Sequence, residues 1–158
     1  MGKAEFSPEL IPVLSDDERV VNAPIRICGK NYNMTCLSVG NPHCVIFADN
    51  VYNIDVSLIG PKFENASLFP ERINTEFVKI IDSKTIRMRV WERGNGETPA
   101  CGTGACAAAI AAVENGFCEK NTDISVRVDG GELIVHYTDE RVLLTGNAET
   151  VFEGVFEY

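Results

Sequence analysis

The stretch GETPACGTGACAAA, residues 96–109, sets a cysteine at the mouth of a run of small residues. Cys106 lies inside that run, where a thiol is expected to pack and stay inert. Cys101 lies just before it and is followed by Gly102-Thr103-Gly104. If a helix begins here, its first N–H groups have no intrahelical partner, and the positive end of the helix dipole stands behind them. Such an entrance binds a carboxylate or phosphate. It also favours thiolate over thiol, which lowers a cysteine pKa from its reference of about 8.5. Glycines at 102 and 104 let a ligand approach the backbone. The stretch therefore offers an anion cradle together with a nucleophile or base. The plainer alternative is that Cys101 packs at the start of a buried helix, as most intracellular cysteines do. The flanking glycines and the charged WERGNGE just before shift the reading toward function.

Three further segments carry polar groups amid apolar runs. GNPHC (40–44) brings Asn41 and His43 to a turn-forming Asn-Pro step. FPERINTEF (69–77) brings Arg72 and Asn74, and WERG (91–94) brings Glu92 and Arg93 to a strand end. Singly, each has an ordinary explanation. Asn74 could bond its own backbone, His43 could be a satisfied buried histidine, and Glu92 with Arg93 could be a solvated ion pair of little energetic worth. Spacing alone does not assemble them into one site. Cys28, Cys36, Cys44 and Cys118 lack a comparable setting and read as structural.

The elements that must hold these groups are mostly strands. RVVNAPIRICGKNYNMTCLSVG (19–40) reads as two strands around Gly29-Lys30-Asn31, and HCVIFAD (43–49) as a short buried strand. In 55–69, Val56, Ile59, Phe63 and Ala66 fall at helical spacing, with Pro61 expected to kink the helix or start a new turn. INTEFVKII and TIRMRVWE join at Asp82-Ser83-Lys84, and Ile86, Met88 and Val90 alternate with Arg87, Arg89 and Trp91 as in a strand. ISVRV and ELIVHYT flank Asp129-Gly130-Gly131 as a hairpin, and RVLLTGNAETVFEGVFEY supplies one or two closing strands. The exception is the run Ala105 to Val113, apolar on all faces, which must be buried on all sides. Gly116 is its natural stop. These patterns predict an α+β fold: a curved, mostly antiparallel, barrel-like sheet around a thin central helix.

Composition narrows the function classes. The 158 residues fit a single domain, 1–158, with 45% hydrophobic residues, 23% charged residues and a net charge of -9. No basic stripe is present, so neither nucleic acid nor an anionic membrane is an expected partner. No apolar run approaches the roughly 20 residues of a membrane span, and MGKAEFSPEL lacks a signal core. A cytoplasmic location is the simplest expectation. Six cysteines without a C-x-x-C pair, beside only two histidines, make neither a metal site nor a disulfide framework expected.

In this order, GNPHCVIF, FPERINTEFV and VWERGNGETPACGTGACAAA resemble the C-terminal half of diaminopimelate epimerase. The third block is long and specific, and MGKAEFSPELIPV resembles the family's entry into this half. The resemblance implies two pseudo-symmetric domains, each a curved sheet around a central helix, and a cofactor-independent inversion of an amino-acid α-carbon. Members interconvert LL- and meso-diaminopimelate for lysine and cell-wall synthesis. Two cysteines face each other across that carbon; one removes the proton as the other returns one to the opposite face. Cys101 matches the second cysteine. His43 and Glu92 match residues that assist the thiols. Asn41, Asn74 and Arg93, with Glu92, match residues that bind substrate. Gly102 and Thr103 match backbone donors to the carboxylate beside the reacting carbon.

The chain departs from the family in length, and no second CGxG occurs in it. The first cysteine belongs to the absent N-terminal half. The expectation is therefore half an epimerase site, inactive alone, whose partners are the small-molecule substrate, the missing domain of the same enzyme and, as an open question, a second copy in a homodimer. The alternatives are a proline-racemase-type isomerase of the same fold, a non-catalytic binding domain, and a cysteine hydrolase.

Overall fold

A computed structural model describes residues 1–157. Nine strands form one sheet: β1 (Ala23–Ile27), β2 (Lys30–Ser38), β3 (Pro42–Phe47), β4 (Asn74–Asp82), β5 (Thr85–Glu92), β6 (Gly96–Thr98), β7 (Asp123–Val128), β8 (Gly131–Tyr137) and β9 (Val142–Thr145). Two α-helices accompany it, α1 (Val56–Glu64) and α2 (Gly102–Glu114). The strand order is β1-β2-β3-β4-β5-β7-β8-β9, with β6 paired to β5. Two pairings are parallel, β3 with β4 and β5 with β7. The others are antiparallel. Each parallel pair needs a crossover, and α1 and α2 lie in those two connections.

The period-two alternation of the strands sorts their side chains onto two faces. Leu37, Val45, Val78, Met88 and Val90 pack with α2 in one core. Cys36, Cys44, Ile46 and Phe77 pack with Phe63 of α1 in another. The expected thin helix is α2: Gly104 through Ala112 are buried, and the helix touches β2, β3, β4, β5, β7, β8 and β9. Alanine makes this approach feasible, because no side chain holds the strands away. The second core, under α1, was not expected; it covers the apolar back of β1 to β4.

The sheet is curved around α2, as expected, and does not close. It ends at β1 and β9, which do not pair with each other. On the back of the sheet, α1 lies against β4, β5 and β6, and Ile11, Val13 and Val20 of the N-terminal segment complete the second core. The helix α1 is shorter than the 55–69 pattern predicts. Asp55 Oδ1 caps the Leu58 N–H at 3.0 Å, and the helix runs through Pro61 to Glu64 before the Asn65 side chain takes the Pro61 carbonyl. Gly60 is needed for packing: a Cβ there would meet the Trp91 ring at 2.5 Å. The hairpin of β7 and β8 closes at Val128↔Gly131, as expected. The closing stretch gives one strand, β9; residues 146–157 form no helix or strand, and Tyr158 lies outside the described residues.

Burial pushes the Cys106 thiol up from 9.0 to about 11 and the Cys44 thiol well above 9.0. The unfolded chain therefore loses these protons first as pH rises. Their contribution to stability is present below about pH 9 and is lost as pH rises toward the folded values. Cys106→Ala is expected to recover on the order of 2 kcal/mol of the stability lost between about pH 8 and about pH 11. Urea unfolding at both pH values checks this; equal losses in the two proteins would contradict it.

Candidate active site

The topology collects the polar segments at one end of the sheet. Because β3 and β4 are parallel, with His43 opposite Asn74, their N-terminal ends coincide. Because β5 runs antiparallel to β4, its C-terminal end, with Glu92, arrives at the same edge. The N-terminus of α2 points there too. His43, Asn74 and Glu92 fall on the α2 face by the same two-residue period as Val45, Val78 and Val90.

Cys101 is the N-cap of α2, in extended backbone, and its sulfur accepts the Gly104 N–H at 3.3 Å. The hydroxyl of Thr103 lies 3.5 Å from the same sulfur. The remaining N–H groups of the first turn, on Gly102 and Thr103, have no intrahelical acceptor. Gly104 must be glycine for this arrangement. A Cβ there would come 2.9 Å from Glu76 Oε1 and 3.2 Å from the Cys101 sulfur.

Hydrogen bonds link the rest. Asn41 donates Nδ2 to Thr103 Oγ1 at 3.3 Å and turns Oδ1 to His43 Nε2 at 3.0 Å. His43 Nδ1 lies 2.7 Å from Glu76 Oε1, and both side chains are fully buried. Asn74 ties three strand ends together: it donates to the Pro42 carbonyl at 2.7 Å and accepts the Arg93 N–H at 2.8 Å. One N–H and one lone pair of its amide remain for a ligand. The Arg93 guanidinium bonds the Glu71 carbonyl at 3.1 Å, and Thr98 Oγ1 donates to Glu92 Oε1. Arg72, singled out with Asn74, is engaged elsewhere, bonding Glu64 at 3.1 Å.

The charge state of Cys101 departs from expectation. Its thiol is raised above 9.0, first by burial and then by Glu76 and Glu92, against the lowering by Thr103 and the Gly104 N–H. The helix entrance is present, but desolvation outweighs it, so Cys101 rests as a thiol. Glu76 is the residue that the sequence reading missed. It is also raised, by burial first, although the paired His43 pulls it down. Its signal was legible in principle: it is the one acid in the run NTEFVKII, two residues after Asn74 and hence on the same face.

Two depressions of about 510 Å³, one around Pro12 and Pro70 and one around Phe47 and Phe117, contain none of the candidate residues.

A family model described as diaminopimelate epimerase matches residues 35–151. A diaminopimelate epimerase of Desulfovibrio desulfuricans is 46% identical over 164 residues, covering 99% of this chain and 56% of that protein. One from Acetivibrio thermocellus is 49% identical over 156 residues, covering 98% of this chain and 55% of that protein. The chain thus spans about half the length of the curated relatives it matches. A crystal structure of a Bacillus anthracis phenazine biosynthesis protein of the PhzF family shares the fold. It has a TM-score of 0.51 and 21% identity, over 72% of this chain and 38% of that one.

Proposed function

This chain belongs to the diaminopimelate epimerase family, and from that premise we propose that it is the C-terminal half, a single domain over 1–158, of a two-thiol epimerase acting on diaminopimelate. The observation that carries the reading is the seat of Cys101. A thiol caps a buried helix beside free N–H groups, at the one edge where Asn41, His43, Asn74, Glu92 and Arg93 converge.

In this reading the substrate α-carboxylate sits on the N–H groups of Gly102 and Thr103. There those N–H groups stabilise the negative charge that spreads onto it as the α-proton leaves. Cys101 stands on one face of the α-carbon and a cysteine of the other half stands on the opposite face. In one direction Cys101 as thiolate takes the α-proton while the facing thiol gives its own to carbon. In the other direction Cys101, which rests as a thiol, is the donor. Either way one C–H bond breaks and one forms, one S–H bond breaks and one forms, and no redox change occurs, so the reaction asks for no cofactor. His43 and Glu92 assist the thiols. Arg93, Asn41 and Asn74 hold the distal amino-acid end, where a planar guanidinium suits a carboxylate. The other half of the enzyme is the required partner, and a cytoplasmic location goes with this biosynthetic role.

The test is solvent deuterium exchange into diaminopimelate, with this chain alone and with an N-terminal half supplied. Exchange is expected only with both. Robust turnover by this chain alone would sink the half-site reading.

A further inference from the structure

Glu76 has no role in the scheme above, yet it is fully buried and sits at the back of the site. The hydrogen bonds around it have a definite sense. Asn41 gives Nδ2 to Thr103, so its Oδ1 faces His43. An amide oxygen can only accept, so His43 Nε2 must carry a proton. The chain then runs from His43 Nε2–H to Asn41 and from Asn41 Nδ2–H to Thr103, whose O–H is left to donate to the Cys101 sulfur whenever that sulfur is a thiolate. Its last donor is the one a thiolate needs.

What keeps the proton on Nε2 is at the other ring nitrogen. Glu76 Oε1 is 2.7 Å from Nδ1. A protonated Glu76 donates to a bare Nδ1, leaving the neutral Nε2–H ring. An ionised Glu76 accepts from Nδ1–H, leaving the doubly protonated ring. Both placements hold the same two protons, and both keep Nε2–H. Glu76 Oε2 is buried without a hydrogen-bond donor. That is cheaper for a neutral acid than for an anion, and burial favours the acid as well. The ionisable groups facing the pair are Glu92 on β5 and Cys101 at the start of α2, with Cys44 and Cys36 across the sheet in the second core.

We propose that Glu76 is a positioning residue of this site: through His43 it fixes a proton on Nε2 and so directs the hydrogen-bond chain toward the Cys101 sulfur. This rests on the proton-transfer reading of Cys101. Two variants separate hydrogen bonding from bulk. Glu76→Gln keeps a donor to Nδ1, whereas Glu76→Met fills the space with no hydrogen bond.

The test has two arms. In the first, the chain is labelled with ¹⁵N-histidine and carries His136→Gln, so that His43 is the one ring observed. The wild-type background and Glu76→Gln are expected to show a protonated Nε2, and Glu76→Met to show loss of that signature or mixed tautomers. A neutral Nδ1–H ring in the wild-type background, or an unchanged Nε2–H in Glu76→Met, overturns the proposal. Should Glu76→Met not fold, the wild-type and Glu76→Gln spectra decide. In the second arm, with an N-terminal half supplied, Glu76→Met is expected to lower kcat roughly 10- to 100-fold, the range for lost outer-shell partners. KM should change little, and Glu76→Gln should recover most of the loss. An equal loss in both variants, or one confined to KM, counts against positioning. Absence of turnover in the wild-type pair would defeat the epimerase reading instead, and the spectra would still decide the role of Glu76.

Discussion

Replacing Cys101 with alanine is expected to cut epimerisation by roughly 10²- to 10⁴-fold, the contribution of a positioned acid or base. The measurement is conversion of each isomer by the chain paired with an N-terminal half. Inversion needs a proton taken on one face and returned on the other, so losing one thiol stops it in both directions. The cysteine on the other half could still remove and return a proton on its own face. The loss of inversion should therefore exceed the loss of deuterium exchange for one of the two isomers. A variant that inverts within about tenfold of wild type would exclude Cys101 from proton transfer. It would favour a binding domain, or a site whose chemistry lies wholly in the other half. The raised thiol also sets the direction of the pH response. Where Cys101 is the base, the rate should climb as pH rises toward its elevated ionisation; where it is the acid, low pH keeps its proton in place, and an acid-side fall in rate belongs to the facing cysteine.

Ala108→Leu is expected to cost about 3 kcal/mol, the upper end for overpacking a filled core. Ala108 is fully buried in α2, and strands approach this helix from nearly every side. A leucine there has no solvent-facing direction to turn into, so either α2 or several strands must shift. Val113→Leu, next to the last residue of α2 and only partly buried, adds one methylene at a looser point. It should cost less than about 1.5 kcal/mol. Denaturant unfolding of the two variants compares them directly. Similar small costs at both positions would mean that α2 is not tightly enclosed. Because Cys101 caps this helix, displacement of α2 should also disturb the sulfur, the Gly102 and Thr103 donors and Glu76 together.

Much of this molecule can be read from local pattern. The alanine run has no polar face, so burial on all sides is the only stable place for it, and the structure puts it there. The thiol at its mouth, the two-residue Asp129-Gly130 turn and the paired strands around Gly29 follow from chemistry within a few residues. The segments bearing Asn41, His43, Asn74, Glu92 and Arg93 were each legible as polar insertions between apolar runs.

What tertiary structure decided are the relations among groups distant in sequence. His43 and Glu76 stand 33 residues apart, and only the parallel register of β3 and β4 brings them within 2.7 Å. The two-residue period puts Glu76 on the face of Asn74, but which groups stand opposite that face is set by how the strands and α2 pack. The second core has the same origin, since it joins α1 and the N-terminal segment to a face whose existence depends on how β1 to β4 pair. The state of Cys101 is the sharpest case. Sequence identified the helix dipole and the free N–H groups that favour thiolate. The opposing terms, burial and the nearby carboxylates of Glu76 and Glu92, exist only once the chain is folded, and they outweigh it. Local pattern determined which groups are present; the balance of desolvation against hydrogen bonding, set by long-range packing, determined what state they are in.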